Sequence, residues 1–127
     1  MDKERFERGV EKRKAVLGAD YVEKTLAGAD DFSRPFQEMM TEFCWGFGWG
    51  DDTLDPKTRS MLNLTMIAAL NRMHEWELHF RGAITNGVTR EELRAVLHQI
   101  SIYCGIPAGV ECFRIAKRVL AEVDGDG

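Results

Sequence analysis

A chain of 127 residues, 44% hydrophobic and 9% aromatic, is long enough for one domain with a substantial core. Charged residues make up 30% and the formal net charge is −4, with no basic tract of the kind that holds a phosphate backbone, so nucleic-acid binding is not expected. No apolar run approaches the roughly 18–20 residues of a membrane span, and the start, MDKERFERG, lacks the apolar middle of a signal peptide, which argues for a cytoplasmic protein.

Nearly every segment reads as helix. Residues 3–17 carry Phe6, Val10, Val16 and Leu17 among charges of both signs and stop at Gly18. A short helix follows from about Asp20 to Ala27. Ser33 and Pro35 then open another, with a capping hydroxyl and a proline in the first turn. It carries Phe36, Met39, Met40 and Phe43 and is expected to end in CWGFGWG, where three glycines oppose a long regular helix. Trp45 and Trp49 flank that turn. They read either as aromatic packing around a break or as the wall of a pocket.

Asp55-Pro56 starts a helix that runs to about Asn71 and is apolar nearly all round: Met61, Leu62, Leu64, Met66, Ile67, Leu70. Such a helix is expected to be central and buried. That is more burial than a 127-residue monomer readily provides, which fits a multimer. Residues 72–85 form the next helix, closed by Asn86-Gly87. Thr89 and Glu92 form a capping box ahead of Leu93, Val96, Leu97, Ile100 and Tyr103 at helical spacing. After Gly105 and Pro107 the last helix puts Val110, Phe113, Ala116 and Leu120 on one face. No segment alternates with period two, so the class is all-α with six or seven helices. The cysteines, Cys44, Cys104 and Cys112, are odd in number and widely spaced. Reduced thiols acting as small core residues are the simplest reading.

The stretch NRMHEWELHF, residues 71–80, holds two of the three histidines. A two-histidine metal site would need them four apart. His74 and His79 are five apart, about 140° around a helix, so no metal is expected. The pair that shares a face is Glu75 and His79, with Arg72 three residues before Glu75. A carboxylate beside an imidazole raises its pKa and fixes its tautomer, as proton transfer near neutral pH requires. The same neighbours also occur on ordinary solvated helix faces, and spacing does not separate the two readings.

Taken together, RKAVLGADYV, DDFSRPFQE, WGFGW, RSMLNLTMIAAL, HEWELHFRGAITNGVTREEL and IYCGIPAG resemble, in order and over nearly the whole chain, the gamma-carboxymuconolactone decarboxylases of the alkylhydroperoxidase D-like superfamily. The resemblance implies a compact helical protomer assembled as a ring-like homohexamer. It implies decarboxylation of 4-carboxymuconolactone to the enol-lactone of beta-ketoadipate in aromatic catabolism, with no metal or organic cofactor. His79 and Glu75 would be catalytic. Arg72, His74, Arg81, Trp45 and Trp49 would contact substrate. Redox members of the superfamily carry C-x-x-C before a histidine, and those cysteine positions are Arg72 and Glu75 here. Their upstream glutamate position is Ser60. Thiol peroxidase chemistry is therefore not expected by that route. Two further alternatives are a lyase for another carboxylated lactone and a non-catalytic helical module for oligomerisation or ligand binding.

Overall fold

Seven α-helices and one π-helix account for most of residues 1–125, the part that this computed structural model describes, and no strand occurs among them. The α-helices are α1 Lys3–Leu17, α2 Ala19–Ala27, α3 Arg34–Met40, α4 Pro56–Ala69, α5 Met73–Thr85, α6 Arg90–Cys104 and α7 Ile106–Val123. The contacts divide into two units, Met1–Pro56 and Lys57–Gly127. No helix among the described residues is long and apolar enough to cross a membrane.

In the N-terminal unit, α1 starts at Asp2, whose carboxylate accepts the Arg5 backbone N–H at 3.0 Å. At the start of α3 the sequence expectation needs correcting. The Ser33 hydroxyl does not cap the helix; it turns back and donates to Asp30 Oδ1 at 3.0 Å. The glycine-rich segment also departs from expectation, because the chain stays helical through it. Thr41–Gly48 is a π-helix, closed by the Trp49 N–H on the Cys44 carbonyl five residues back.

Two glycines let that π-helix approach α1 backbone to backbone. A Cβ at Gly9 would overlap the Thr41 carbonyl oxygen, and one at Gly46 would overlap the Arg5 carbonyl oxygen. Around this crossing, Trp45 and Trp49 stack at 5.0 Å between ring centroids and pack with Val16. Arg13 is only 3% exposed, and its Nη1 donates to Gln37 Oε1 at 3.1 Å and Thr41 Oγ1 at 3.2 Å. Burial pushes its pKa down, but a guanidinium stays charged.

The C-terminal unit has its core among Leu64 and Ala68 of α4, Trp76, Phe80 and Ala83 of α5, Leu93, Leu97 and Ile100 of α6, and Cys112, Ile115, Ala116 and Val119 of α7. The capping box of α6 forms in full, with Thr89 Oγ1 accepting the Glu92 N–H at 3.1 Å and Glu92 Oε1 accepting the Thr89 N–H at 2.9 Å. Lys57 Nζ also reaches Glu92 Oε1, at 2.8 Å.

Two burial expectations are overturned, those for α4 and for the cysteines, and the structure also sets which side of α7 is buried. Helix α4 is two-faced within the single chain: Leu64 and Ala68 are buried, while Leu62, Met66 and then Leu70, 69% exposed, form an apolar ridge at four-residue spacing. On α7 the buried stripe is rotated to Gly109, Cys112, Ala116 and Val119, leaving Val110 exposed and Phe113 and Leu120 only partly covered. Of the cysteines only Cys112 is buried; Cys104 is intermediate and Cys44 exposed.

The α1–π-helix crossing makes the first prediction. Gly9→Ala should destabilise the protein by about 1–3 kcal/mol, the usual cost of overpacking, whereas Glu7→Ala on the exposed side of α1 should stay within about 0.5 kcal/mol. Urea denaturation followed by circular dichroism measures both. Equal stabilities for the two variants would contradict the close crossing.

Candidate active site

The geometry of the site begins at the end of α4. Asn71 has φ 57°, the left-handed region that asparagine tolerates better than most residues. The Asn71 N–H bonds to the Ala68 carbonyl at 3.0 Å and the Arg72 N–H to the Ile67 carbonyl at 3.2 Å. This is a Schellman closure with asparagine at the position usually held by glycine. Helix α5 begins two residues later, so Arg72 stands exposed at its N-cap. The other end of α5 closes in the same way, with the Val88 N–H on the Ala83 carbonyl and Gly87 at φ 89°.

Between these ends α5 is held by its buried face. Trp76 is fully buried, stacks on Phe80 at 5.1 Å, and donates its indole N–H to the Leu64 carbonyl of α4 at 3.0 Å. Residues 75 and 79 flank that face by about 100° each. Glu75 is therefore exposed and His79 half-buried, on one line along the helix. His74 is exposed. The helix thus brings Glu75 and His79 together at its N-terminal half.

The charge on His79 runs against the sequence expectation. Burial lowers its pKa from the ordinary 6.5, and the negative charge of Glu75 pulls upward without overcoming burial. The imidazole is neutral at pH 7, with one N–H to donate and one nitrogen to accept.

Arg81 is drawn into a network with α7. Its Nη2 donates to Glu77 Oε2 at 3.0 Å and Glu122 Oε2 at 2.7 Å, and Arg118 Nη2 donates to Glu77 Oε1 at 2.6 Å. The two guanidiniums, Arg118 first, hold the Glu77 carboxyl down to about 2. Glu77 was not among the sequence candidates. Its spacing to Arg81 was visible in the sequence, but its partner Arg118 lies 41 residues away. Ser60 also takes on a role here: fully buried, its hydroxyl accepts from Asn86 Nδ2 at 2.9 Å. Trp45 and Trp49 are buried in the core of the N-terminal unit.

Two pH effects follow. With Glu77 ionising near 2 in the folded state and near 4.5 when unfolded, its ion pairs stabilise above pH 4.5 and are lost as pH falls toward 2. Its side chain is 27% exposed, and solvent screening limits the gain to about 1 kcal/mol. Urea denaturation at successive pH values should show the deficit of Glu77→Gln shrinking across that window. For His79, the unfolded chain takes up the proton more readily, so stability falls as pH drops below 6.5. In an NMR titration His79 should have a midpoint below 6.5, and Glu75→Gln should move it lower still. A midpoint that rises in the variant would contradict the coupling.

Comparison with known proteins places the chain in a family. A model of the carboxymuconolactone decarboxylase family matches residues 34–118. The chain is 40% identical over 122 residues to nitrosuccinic acid decarboxylase of Metarhizium robertsii, covering 96% of this chain and 85% of the relative. It is 34% identical over 122 residues to 4-carboxymuconolactone decarboxylase of Acinetobacter baylyi, covering 96% of this chain and 91% of the relative. An uncharacterized 15.0 kDa protein of Paracoccus denitrificans is 32% identical over 87 residues, 67% of this chain and 65% of that protein. With matches of this length and identity, the chain belongs to the carboxymuconolactone decarboxylase family.

Proposed function

We propose that this protein is a carboxy-lyase for small polycarboxylic acids whose departing carboxylate sits on a saturated carbon next to, or vinylogous to, an electron sink, and that it needs no metal or organic cofactor. The observation that carries the proposal is the half-buried His79 beside Glu75, its pKa pushed down by burial, with Arg72 exposed at the entry of the same helix. The family relatives, named for two decarboxylations, support the same class of reaction.

Such a reaction asks little of the protein. The bond to the carboxylate breaks, carbon dioxide leaves, and the electron pair passes into the sink. In 4-carboxymuconolactone the sink is the lactone carbonyl and the anion is a dienolate. A proton then adds to carbon. Arg72 would hold a retained carboxylate, for which a guanidinium is suited. His74 is a secondary contact in this scheme, while Arg81, held by Glu77 and Glu122, acts only by tying α5 to α7. The His79 N–H would donate to the oxygen on which charge develops. An arriving dianion also raises the imidazole's pKa, adding to the pull of Glu75, so that proton uptake by His79 accompanies binding. Glu75 would then hold the charged imidazole for proton delivery.

Nitrosuccinate is a second substrate candidate, favoured by the higher identity, 40% against 34%, to the relative named for it. There a nitro group is the sink and the intermediate is a nitronate. The same hydrogen bond from His79 would serve both anions. The apolar ridge of Leu62, Met66 and Leu70 supports assembly of the chain into a homo-oligomer, a hexamer in the proposal.

Carbon dioxide release should be measured with each acid in the presence of EDTA. Turnover of at least one is expected. His79→Ala should lower kcat/KM by about 10²–10⁴-fold with an unchanged circular dichroism spectrum. Near-normal turnover in that variant would remove His79 from the mechanism, and a folded protein that turns over neither acid would overturn the substrate assignment.

A further inference from the structure

Helices α6 and α7 do not lie flush along their length. At one end they touch closely: a Cβ on Gly109 would overlap the Ser101 side chain. Two hollows run along the seam, the larger starting at that contact and the smaller lying beyond it. One, of about 180 Å³, is floored by Phe80, Leu97, Phe113, Ala116 and Leu120. The other, of about 480 Å³, continues from it through the shared residues Phe113 and Lys117. The rotated burial of α7, which leaves Phe113 and Leu120 half-covered, is what opens this groove.

The rim is unusual for a chain of net charge −4. Neither hollow is lined by an acidic residue, and together they are lined by Arg90, Arg94, Arg114 and Lys117. Two of these cations are neutralised: Arg90 donates to both Asp124 carboxylate oxygens at 2.8 and 2.9 Å, and Arg114 pairs with Glu111. Arg94 and Lys117 are exposed and make no ion pair among the described residues. Both line the smaller hollow. A cavity of about 150 Å³ suffices for a benzene ring. An apolar floor with two unneutralised cations at its edge complements a molecule with a small apolar body and one negative end.

We propose that the α6–α7 groove is a second ligand site, for a small organic carboxylate: its aromatic or short aliphatic body lies over Phe113 and Ala116, and its carboxylate lies between Arg94 and Lys117. The site is separate from the α5 face, since α5 contributes only Phe80 to its lining.

Benzoate is the probe, with benzyl alcohol as the uncharged control, titrated into the full-length protein by calorimetry and by ¹H–¹⁵N NMR. Saturable benzoate binding is expected, with shift changes at Leu97, Phe113 and Ala116. Benzyl alcohol and the doubly substituted Arg94→Gln/Lys117→Gln protein should each bind weaker by about tenfold or more. His79→Ala should bind benzoate as the unsubstituted protein does. Absence of saturable binding, equal affinity in the double variant, or shift changes centred on His79 would each overturn the site. So would a changed sedimentation coefficient in the double variant without benzoate binding, which would assign the groove to a contact between copies.

Discussion

The indole of Trp76 has one polar atom, and burying it without an acceptor would cost on the order of 1–3 kcal/mol. Its acceptor, the Leu64 carbonyl, belongs to α4. That single bond, with the burial of Trp76 and Phe80 on one face, fixes the rotation of α5 about its own axis. Once position 76 faces the core, positions 75 and 79 must lie on the flank, because a helix turns about 100° per residue. The left-handed Asn71 fixes where the helix begins. The candidate chemistry on Arg72, Glu75 and His79 therefore depends on two features that take no part in it. A residue without an indole N–H at 76 would still be apolar, but would leave the rotation of α5 less determined.

Glu75 and His79 illustrate a conflict that spacing cannot display. Counting residues identifies the neighbour and its charge, and predicts a raised pKa. It does not register how much water the imidazole loses. In the folded chain desolvation is the larger effect, and the resting imidazole is neutral. This alters the chemistry of the site. A permanently charged histidine would bind anions but spend its proton poorly near neutral pH. A neutral one, with a carboxylate behind it, responds to the charge of whatever arrives. The difference in environment along one helix is large: Glu77, two residues from Glu75, is held near 2 by two guanidiniums and stays ionised throughout the physiological range.

The parts of the fold legible in the sequence are those governed by local hydrogen bonding. The Thr89–Glu92 capping box, the Asn86-Gly87 stop and the proline starts at 35 and 56 all rest on contacts within a turn or two, and the structure has them. What was misread depends on distant partners. Ser33 has the residue type of a cap, but Asp30 competes for its hydroxyl. Three glycines near residue 48 do oppose a regular α-helix, yet two backbones needing to touch at Gly9 and Gly46 favour a widened helix over a break. The Glu75–His79 pairing could be read from the sequence. The anchoring of α5 to α7 through Arg118 could not, since no local rule links positions 77 and 118.

Apolar periodicity alone also fails to say which face of a helix is buried, and the exposed surfaces differ in a way that matters. On α4 and just past its end, Leu62, Met66 and Leu70 make a ridge of one chemical kind, at a spacing that suits another apolar surface. Along α6 and α7 the half-covered Phe113 and Leu120 lie beneath Arg94 and Lys117. A second apolar helix pressed onto that groove would have to desolvate both cations without pairing them, which is costly. An anion with a small apolar body avoids that cost. Both surfaces present apolar side chains, and it is the charges at the edge that separate what each can bind.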